Sequence, residues 1–318
     1  MKKELGIFIL LVVLCAVTTA INPRFLSANN LTNIANVIGM FGIFSIGLGL
    51  VIITGGIDLS VGSMFALAGV LLAMALVDWG LPWPVAAALA VAIPMIFGLG
   101  HGWLITRMKM QPFIVTLCGL LLYRGIARFI AGDSTKGFGN AEGFETLRTL
   151  AKERFFGLPM PFIILIVVGV IMWFVLHRSV YGRYLFAVGR NEEAARFSGI
   201  DTRRVVAGSY IIAGMLTGIS GILFAFYTNS VSPSNHGNFY ELYGIAAAVL
   251  GGCSLRGGEG SIVGIIIGAA LLQVLQNLVN LLGIPSSLNF AVMGAVVLVG
   301  VLTDQILRNR SQAKVGAK

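Results

Sequence analysis

The chain has 318 residues, of which 57% are hydrophobic and 11% are charged, and its formal net charge is +9. Soluble domains hold about 45–50% apolar and about 25% charged residues. The composition therefore excludes a soluble globular protein and a disordered one, and it predicts an all-α polytopic membrane protein. The three cysteines are far apart in sequence and lie in or beside apolar runs, which excludes a disulfide framework and a cysteine metal site.

Ten apolar segments predict about ten transmembrane helices, some of them short or broken. In chain order they lie near Leu5–Ile21, Ile34–Ile53, Val61–Val77, Trp83–Ile105, Phe113–Ala131, Phe162–Leu176, Val205–Tyr227, Tyr240–Gly252, Ile262–Leu282 and Leu288–Leu302. The second and eighth are the short or glycine-broken ones. The first also resembles a signal peptide, but its cleavage site is poor and further spans follow, which favours an uncleaved first helix.

The basic residues are distributed unevenly between the two sides of this predicted topology. If the amino terminus is cytoplasmic, the inner segments hold 15 of the 22 basic residues: Lys2, Lys3, Arg107, Lys109, Arg178, Arg183, Arg190, Arg196, Arg203, Arg204, Arg256, Arg308, Arg310, Lys314 and Lys318. This is the positive-inside pattern, and it predicts that both termini are cytoplasmic. The net positive charge is thus explained by the orientation of the chain in the membrane, and we expect no nucleic-acid partner. The chain is predicted to be one integral-membrane domain, residues 1–318, with an outer loop at 132–161 that is solvated and a cytoplasmic loop at 177–204.

The cytoplasmic loop contains a charged, amphipathic stretch that predicts a short helix. Asn191 can cap it, Glu192 and Glu193 suit the positive end of its dipole, and Gly199 can end it. Small and aromatic surface comes from Ala194, Ala195 and Phe197, with Arg196 beside them. Docking into a groove of a soluble partner is favoured over an interfacial helix resting on lipid headgroups, because the segment lacks a wide apolar face.

Four amides on the ninth predicted span fall at i, i+3, i+4 and i+7, namely Gln273, Gln276, Asn277 and Asn280. Lipid is an unsuitable neighbour for this stripe, which therefore faces protein or water. Two interpretations stay open: the amides line a path for a polar solute, or they join helices. Asn29, Asn33 and Asn36 repeat the pattern where the second span begins, although the first two can also be placed in the outer loop; Asn36 is the candidate for the path.

The segment Thr54–Gly62 combines a sharp reversal, permitted by Gly55 and Gly56, with two potential capping residues, Asp58 and Ser60. A cap of the third span at the membrane interface is favoured. The alternative is an ion site or gating contact at Asp58, because a carboxylate at membrane depth is costly.

Three segments resemble the permease subunits of bacterial ATP-binding-cassette importers, in the branch that carries ribose and other monosaccharides: TGGIDLSVG at Thr54–Gly62, GRNEEAARFSGI at Gly189–Ile200 and AVLGGCSLRGGEG at Ala248–Gly260. The resemblance implies that two permease subunits form a pore in the inner membrane, that a cytoplasmic ATPase drives it, and that a periplasmic or secreted binding protein delivers the sugar. It also implies that Gly189, Arg190, Asn191, Glu192, Glu193, Ala194, Ala195, Arg196, Gly199 and Ile200 contact the ATPase.

The sequence lacks the motifs of an enzyme or a motor. No G-x-x-x-x-G-K-[ST] occurs, so we expect no nucleotide site and no cofactor in this chain. The G-x-S-G form at Gly218–Gly221 resembles an intramembrane protease motif, but no histidine is predicted at a suitable depth, so no catalytic residue is expected. A stand-alone secondary sugar carrier remains the alternative. The sequence does not choose between sugars, or between a homodimer and a heterodimer.

Overall fold

The computed structural model describes residues 2–139 and 142–285, together with 288, 291–292, 294–295 and 298. Eight helices in this part of the chain are long and apolar enough to cross a membrane, which confirms the predicted fold class. They are α1 (Lys2–Ile21), α2 (Ala28–Ile53), α3 (Val61–Ala73, extended by a π-helical turn at Met74–Asp78), α4 (Trp83–Arg107), α5 (Pro112–Ala131), α7 (Met160–His177), α10 (Thr202–Thr228) and α12 (Ile262–Leu281).

Short elements connect these spans. The described residues include four further helices, α6 (Glu145–Lys152), α8 (Val180–Arg190), α9 (Glu192–Phe197) and α11 (Tyr240–Leu250), and a 3₁₀ turn at Pro23–Leu26. Four two-residue strands are also present: β1 (Lys136–Gly137), β2 (Arg154–Phe155), β3 (Leu158–Pro159) and β4 (Ser230–Val231). β1 pairs with β4 and β2 with β3, both antiparallel.

The predicted break in the second span is wrong, because α2 is one continuous helix of 26 residues. Its glycines are contact points for neighbouring helices. A Cβ at Gly42 would lie 2.8 Å from the side chain of Leu165 on α7, and one at Gly47 would lie 2.8 Å from Ala213 on α10. Small residues that let helices approach closely are typical of membrane bundles. α2 also begins earlier than predicted, so Asn29, Asn33 and Asn36 are helical rather than part of a loop.

The eighth span is short, as predicted, and α11 has only 11 residues. At 1.5 Å per residue it is about 16 Å long, roughly half of a hydrocarbon core about 30 Å thick. The predicted tenth span, Leu288–Leu302, lies outside the continuously described residues.

α2 and α3 form the centre of the bundle, where most of their side chains are buried. α10 packs against α4 through small residues four positions apart, a spacing typical of close helix approach in membranes. Gly214 of α10 meets the backbone of Pro94, and Gly218 meets that of Ala90. Gly264 and Gly268 of α12 have the same spacing and lie against the end of α11. α1 is peripheral, and its aliphatic side chains are mostly exposed, as expected for contact with lipid.

The two ends of the bundle differ. At one, the loop end, most described residues of the loop 132–161 are exposed, and the loop is anchored to the bundle by Phe138 and Phe144, whose buried rings pack against Phe226 of α10. At the other, the motif end, lie the segment 54–60, the helices α8 and α9, and the loop 251–261.

Candidate coupling surface and translocation cavity

Three loops that are distant in sequence meet at the motif end. The backbone N–H of Gly258 donates a 2.8 Å hydrogen bond to the carbonyl oxygen of Ile53, which joins the loop after α11 to the end of α2. Gly189, near the end of α8, lies against both of them. All three segments that carry the family resemblance are therefore in direct contact, although residues 63–188 separate the first from the second and residues 201–247 separate the second from the third. We call this contact the glycine junction.

The glycines are needed here because the backbones touch. A Cβ at Gly189 would overlap the carbonyl oxygen of Ile53 and the nitrogen of Gly258. One at Gly257 would lie 2.6 Å from the carbonyl oxygen of Gly189. Gly55, Gly257 and Gly258 also have positive φ values of 83°, 84° and 74°, which side chains rarely adopt. The three backbones of the junction thus touch without intervening side chains.

The helix predicted in the cytoplasmic loop is present as α9. The Asn191 side chain accepts a 2.9 Å hydrogen bond from the N–H of Ala194 and so caps the helix, as predicted. Gly199, with φ of 83°, follows its end. The hydroxyl of Thr202 donates to the Glu192 carboxylate over 3.1 Å, which ties α9 to the start of α10.

The structure of α9 differs from the sequence interpretation in the placement of one residue. Ala195, expected on the docking surface, is 5% exposed, because it turns toward the bundle. The outward surface instead carries Glu193, Arg196 and Phe197, and the Phe197 ring is 82% exposed. The Arg196 guanidinium lies 5.6 Å from the centre of that ring. A capped helix that presents an unburied aromatic ring beside charged groups is suited to insertion into a groove of another protein.

Asp58 does not form the predicted interfacial cap. Its side chain is fully buried, and Oδ1 accepts hydrogen bonds from the N–H (2.9 Å) and hydroxyl (2.6 Å) of Ser60. Ser60 precedes α3 but makes no side-chain cap bond. The local pattern was misleading because the chain enters the bundle here, where the Tyr210 hydroxyl donates to the carbonyl oxygen of Ile57 over 3.1 Å.

A histidine of α4 completes this buried group. Oδ2 of Asp58 lies 4.0 Å from Nδ1 of His101, and neither atom has a hydrogen-bond partner in the described structure. Nε2 of His101 lies 2.8 Å from the Tyr123 hydroxyl. The local sequence signal was a histidine between two glycines in an apolar span.

Replacing Asp58 by alanine is expected to lower the free energy of unfolding by about 1–3 kcal/mol, because the N–H and hydroxyl of Ser60 lose their acceptor in a buried place. Asparagine keeps an acceptor at Oδ1 and should cost less than half as much. Thermal unfolding of the purified protein in detergent measures both. Equal losses for the two variants would mean that the charge of Asp58, rather than its acceptor, is what matters.

The predicted amide stripe lines a cavity at the loop end. Gln273, Gln276, Asn277 and Asn280 of α12 face α2, the end of α10 and the start of α11 across a space of about 390 Å³. The opposite wall is aromatic and includes Phe41, Tyr240 and Tyr243. Cavities of about 300–1,000 Å³ with apolar walls and a few polar groups are typical of small-molecule sites. Asn36 lies on a separate depression, with Asn29 and Asn33, and not in this cavity.

One residue of the stripe joins helices, which is one of the two interpretations considered for it. Asn277 exchanges two hydrogen bonds with Asn30 of α2, of 2.8 and 3.1 Å, and so joins the helices. Among the described residues, the side-chain amides of Gln273, Gln276 and Asn280 have no hydrogen-bond partner in the protein. These three are available to a solute.

A half-buried arginine holds the chain between α10 and α11. The Arg124 guanidinium of α5 donates to the carbonyl oxygens of His236 (2.7 Å), Pro233 (3.0 Å) and Gly62 (3.3 Å). Burial, and secondarily Arg124 itself, lowers the pKa of His236 to about 4, so this side chain is neutral at neutral pH. An arginine within an apolar segment is itself a sign of a role inside the bundle.

The described residues form eight helices long enough to span a membrane, a polar cavity bordered by α2, α10, α11 and α12, and a capped helix at the opposite end, which is the architecture of an integral-membrane permease. A family model described as the permease component of a branched-chain amino acid transport system matches residues 30–301. The chain belongs to this family, which makes it a multi-pass transport protein of the bacterial inner membrane. No solved structure matches it significantly.

Curated relatives cover nearly the whole chain. It is 38% identical to a ribose import permease protein of Bacillus subtilis, over 95% of this chain and 93% of that one. It is 30% identical to a xylose transport system permease protein of Haemophilus influenzae (95% and 96%) and 33% identical to an autoinducer 2 import system permease protein of Enterobacter (96% and 94%).

Proposed function

We propose that this chain is the permease subunit of an ATP-driven importer for a monosaccharide. The observation that carries the proposal is the glycine junction, because it connects an exposed, capped helix directly to the segments that border the buried core. The relatives named for ribose and xylose support a sugar as the solute. The stripe of amides supports it independently, since hydroxyl groups need partners that both donate and accept hydrogen bonds.

Four partners follow from this function: a cytoplasmic ATP-binding-cassette ATPase, a periplasmic or secreted sugar-binding protein, a second permease subunit that completes the pore, and the lipid bilayer. The distribution of basic residues supports cytoplasmic termini and hence a cytoplasmic motif end. The residues proposed to contact the ATPase are the exposed members of the predicted set together with the exposed ring of Phe197, whereas Gly189 and Ala195 face the bundle. The exposed members are Arg190, Asn191, Glu192, Glu193, Ala194, Arg196 and Gly199. ATP is bound by the partner, because this sequence lacks the phosphate-binding motif.

Coupling proceeds through rigid contacts. When ATP closes the ATPase dimer, α8 and α9 move with it, and Gly189 displaces the end of α2 and the loop after α11. α11 and α12 border the cavity, so its amide wall moves relative to its aromatic wall. This is an alternating-access mechanism in which the path includes Gln273, Gln276 and Asn280, while Asn277 holds α12 against α2. Asn36, which faces the separate depression, is proposed only as an outer contact on the way in.

Replacing Phe197 by alanine is expected to weaken association with the ATPase at least tenfold without lowering the stability of the permease. An exposed aromatic ring contributes nothing to this fold, whereas aromatic anchors at interfaces commonly contribute about 2 kcal/mol or more. Co-purification of the ATPase and ATP-dependent uptake into proteoliposomes measure the effect. Phe129→Ala is the matched control, because that ring is 86% exposed on α5, away from α9.

Unchanged ATPase recovery with Phe197→Ala would contradict docking through α9. Transport by the permease alone, with no nucleotide hydrolysed, would instead establish the alternative of a secondary carrier. The burial of Asp58 and His101 is the reason to test for a secondary carrier, since coupled carriers use ionisable groups at membrane depth.

A further inference from the structure

A basic cleft at the motif end lies between the last turns of α4, the end of α9 and the first turns of α10, and its volume is about 360 Å³. The charged side chains among its described lining residues are four arginines and one aspartate: Arg107, Arg196, Arg203, Arg204 and Asp201. Guanidinium groups from three helices therefore converge here, and their mutual repulsion is relieved when an anion binds between them.

The carboxylates near the cleft neutralise only part of this charge. Asp201 pairs with Arg204 over 3.0 Å, and the Glu192 carboxylate is held by a hydrogen bond from the start of α10. Among the described residues, Arg107 and Arg203 have neither an ion pair nor a side-chain hydrogen bond. Two guanidinium groups are thus available to an external anion, and this planar group binds phosphate through paired hydrogen bonds.

The α4 wall of the cleft changes from apolar to cationic toward the motif end. Leu99, Trp103 and Arg107 are exposed lining residues at intervals of four, so they follow one side of the helix over about 12 Å. Tryptophan is typical of the boundary between hydrocarbon and headgroups. The order aliphatic, aromatic, cationic matches the acyl chain, glycerol region and phosphate of a phospholipid. A soluble phosphate would contact the arginines alone and leave the apolar part of this wall unused.

We propose that this cleft binds the headgroup phosphate of an anionic phospholipid, with Arg107 and Arg203 on the phosphate and Trp103 beside the glycerol region. Basic pockets between helices at a membrane surface are suited to such lipids. Because Arg196 also borders the cleft, the bound lipid joins α9 to α4 and α10 and so fixes the position of the coupling helix. The effect on α9 rests on the proposed function, whereas lipid binding does not.

Native mass spectrometry of the purified full-length permease in detergent, titrated with lipid, tests this site. Dioleoyl-phosphatidylglycerol should bind at least tenfold more tightly than dioleoyl-phosphatidylcholine, which has the same acyl chains but no net charge. The double variant Arg107→Gln with Arg203→Gln should bind phosphatidylglycerol at least tenfold more weakly than the wild type. Arg183→Gln with Arg256→Gln is the matched control, because these arginines are exposed at the same end but do not line the cleft.

Two further measurements separate a lipid from a soluble anion. Inorganic phosphate at millimolar concentration should not displace phosphatidylglycerol, because it has no apolar part to contact the α4 wall. Trp103→Ala should weaken phosphatidylglycerol binding at least threefold, because it removes the aromatic contact and leaves the arginines in place. Thermal unfolding in lipid-free detergent should be the same for all these variants, since the replaced side chains are exposed.

Four results would overturn the proposal: the two lipids bind equally well, the cleft double variant binds phosphatidylglycerol as the control pair does, Trp103→Ala binds it as the wild type does, or inorganic phosphate displaces it. In the second case, loss of the ATPase on co-purification with the cleft double variant would assign the arginines to the interface with that partner. The binding measurement needs neither ATP nor the other subunits, so its failure leaves the proposed transport function standing.

Discussion

Replacement of Gly189 by alanine is expected to reduce sugar uptake by the reconstituted importer at least tenfold. The added methyl group would overlap the backbone of Ile53 and Gly258, so the glycine junction must open. Overpacking of a tight contact typically costs about 1–3 kcal/mol, and here the strain lies on the route from the ATPase to the cavity. The ATPase activity should persist but no longer respond to the loaded binding protein.

Gly100→Ala is the matched control, because a Cβ at Gly100 of α4 meets nothing within 4 Å. Alanine is the better helix former by about 1 kcal/mol, so this variant should retain uptake and be at least as stable. Uptake by Gly189→Ala at the wild-type rate would show that the junction does not carry the coupling.

Replacement of Arg124 by methionine is expected to produce the largest loss of stability in the bundle. The change leaves three carbonyl oxygens without their donor and removes the positive charge that interacts with the buried Glu241. Each buried acceptor left without its donor costs about 1–3 kcal/mol. We expect a lower unfolding temperature in detergent and loss of uptake, because α11 and the cavity wall it carries are no longer held in place.

Arg128→Met, one turn further along α5, is the control. Arg128 pairs with Asp133 at the surface and lowers the pKa of that carboxyl below its ordinary value, but both groups are exposed. Exposed pairs contribute little to stability, so this variant should unfold close to the wild-type temperature. Equal unfolding temperatures for the two arginine variants would show that the hydrogen bonds from Arg124 to the loop before α11 do not stabilise the fold.

Features that depend on a single helix could be predicted from the sequence. The amide stripe of α12, the cap at Asn191 and the small residues between α4 and α10 all follow from spacing along a helix, and the structure contains them. The partnership of Asn277 with Asn30 could not be predicted, because the two residues are 247 positions apart and nothing local connects them.

Burial was the property that local patterns misjudged. Asp58 followed by Ser60 before an apolar run is the signature of a cap, and only the contacts of Tyr210 and His101, from other helices, show that this segment is enclosed. Ala195 was misplaced for the same reason, since a six-residue helix has too few turns for its inward face to be identified. Glycines interpreted as breaks in α2 are sites of helix contact, which depends on neighbours that the sequence does not identify.

The shortness of α11 has a consequence for biosynthesis. A stretch of this length is shorter than a membrane-spanning helix, and two carbonyl groups in the turns before it take their hydrogen bonds from a side chain, which hydrocarbon could not replace. Arg124, which donates these hydrogen bonds, is synthesised more than 100 residues earlier. We therefore expect α11 and the residues before it to enter the bilayer late, into a site formed by the helices that precede them in the chain. The order of assembly then follows from the length of one helix.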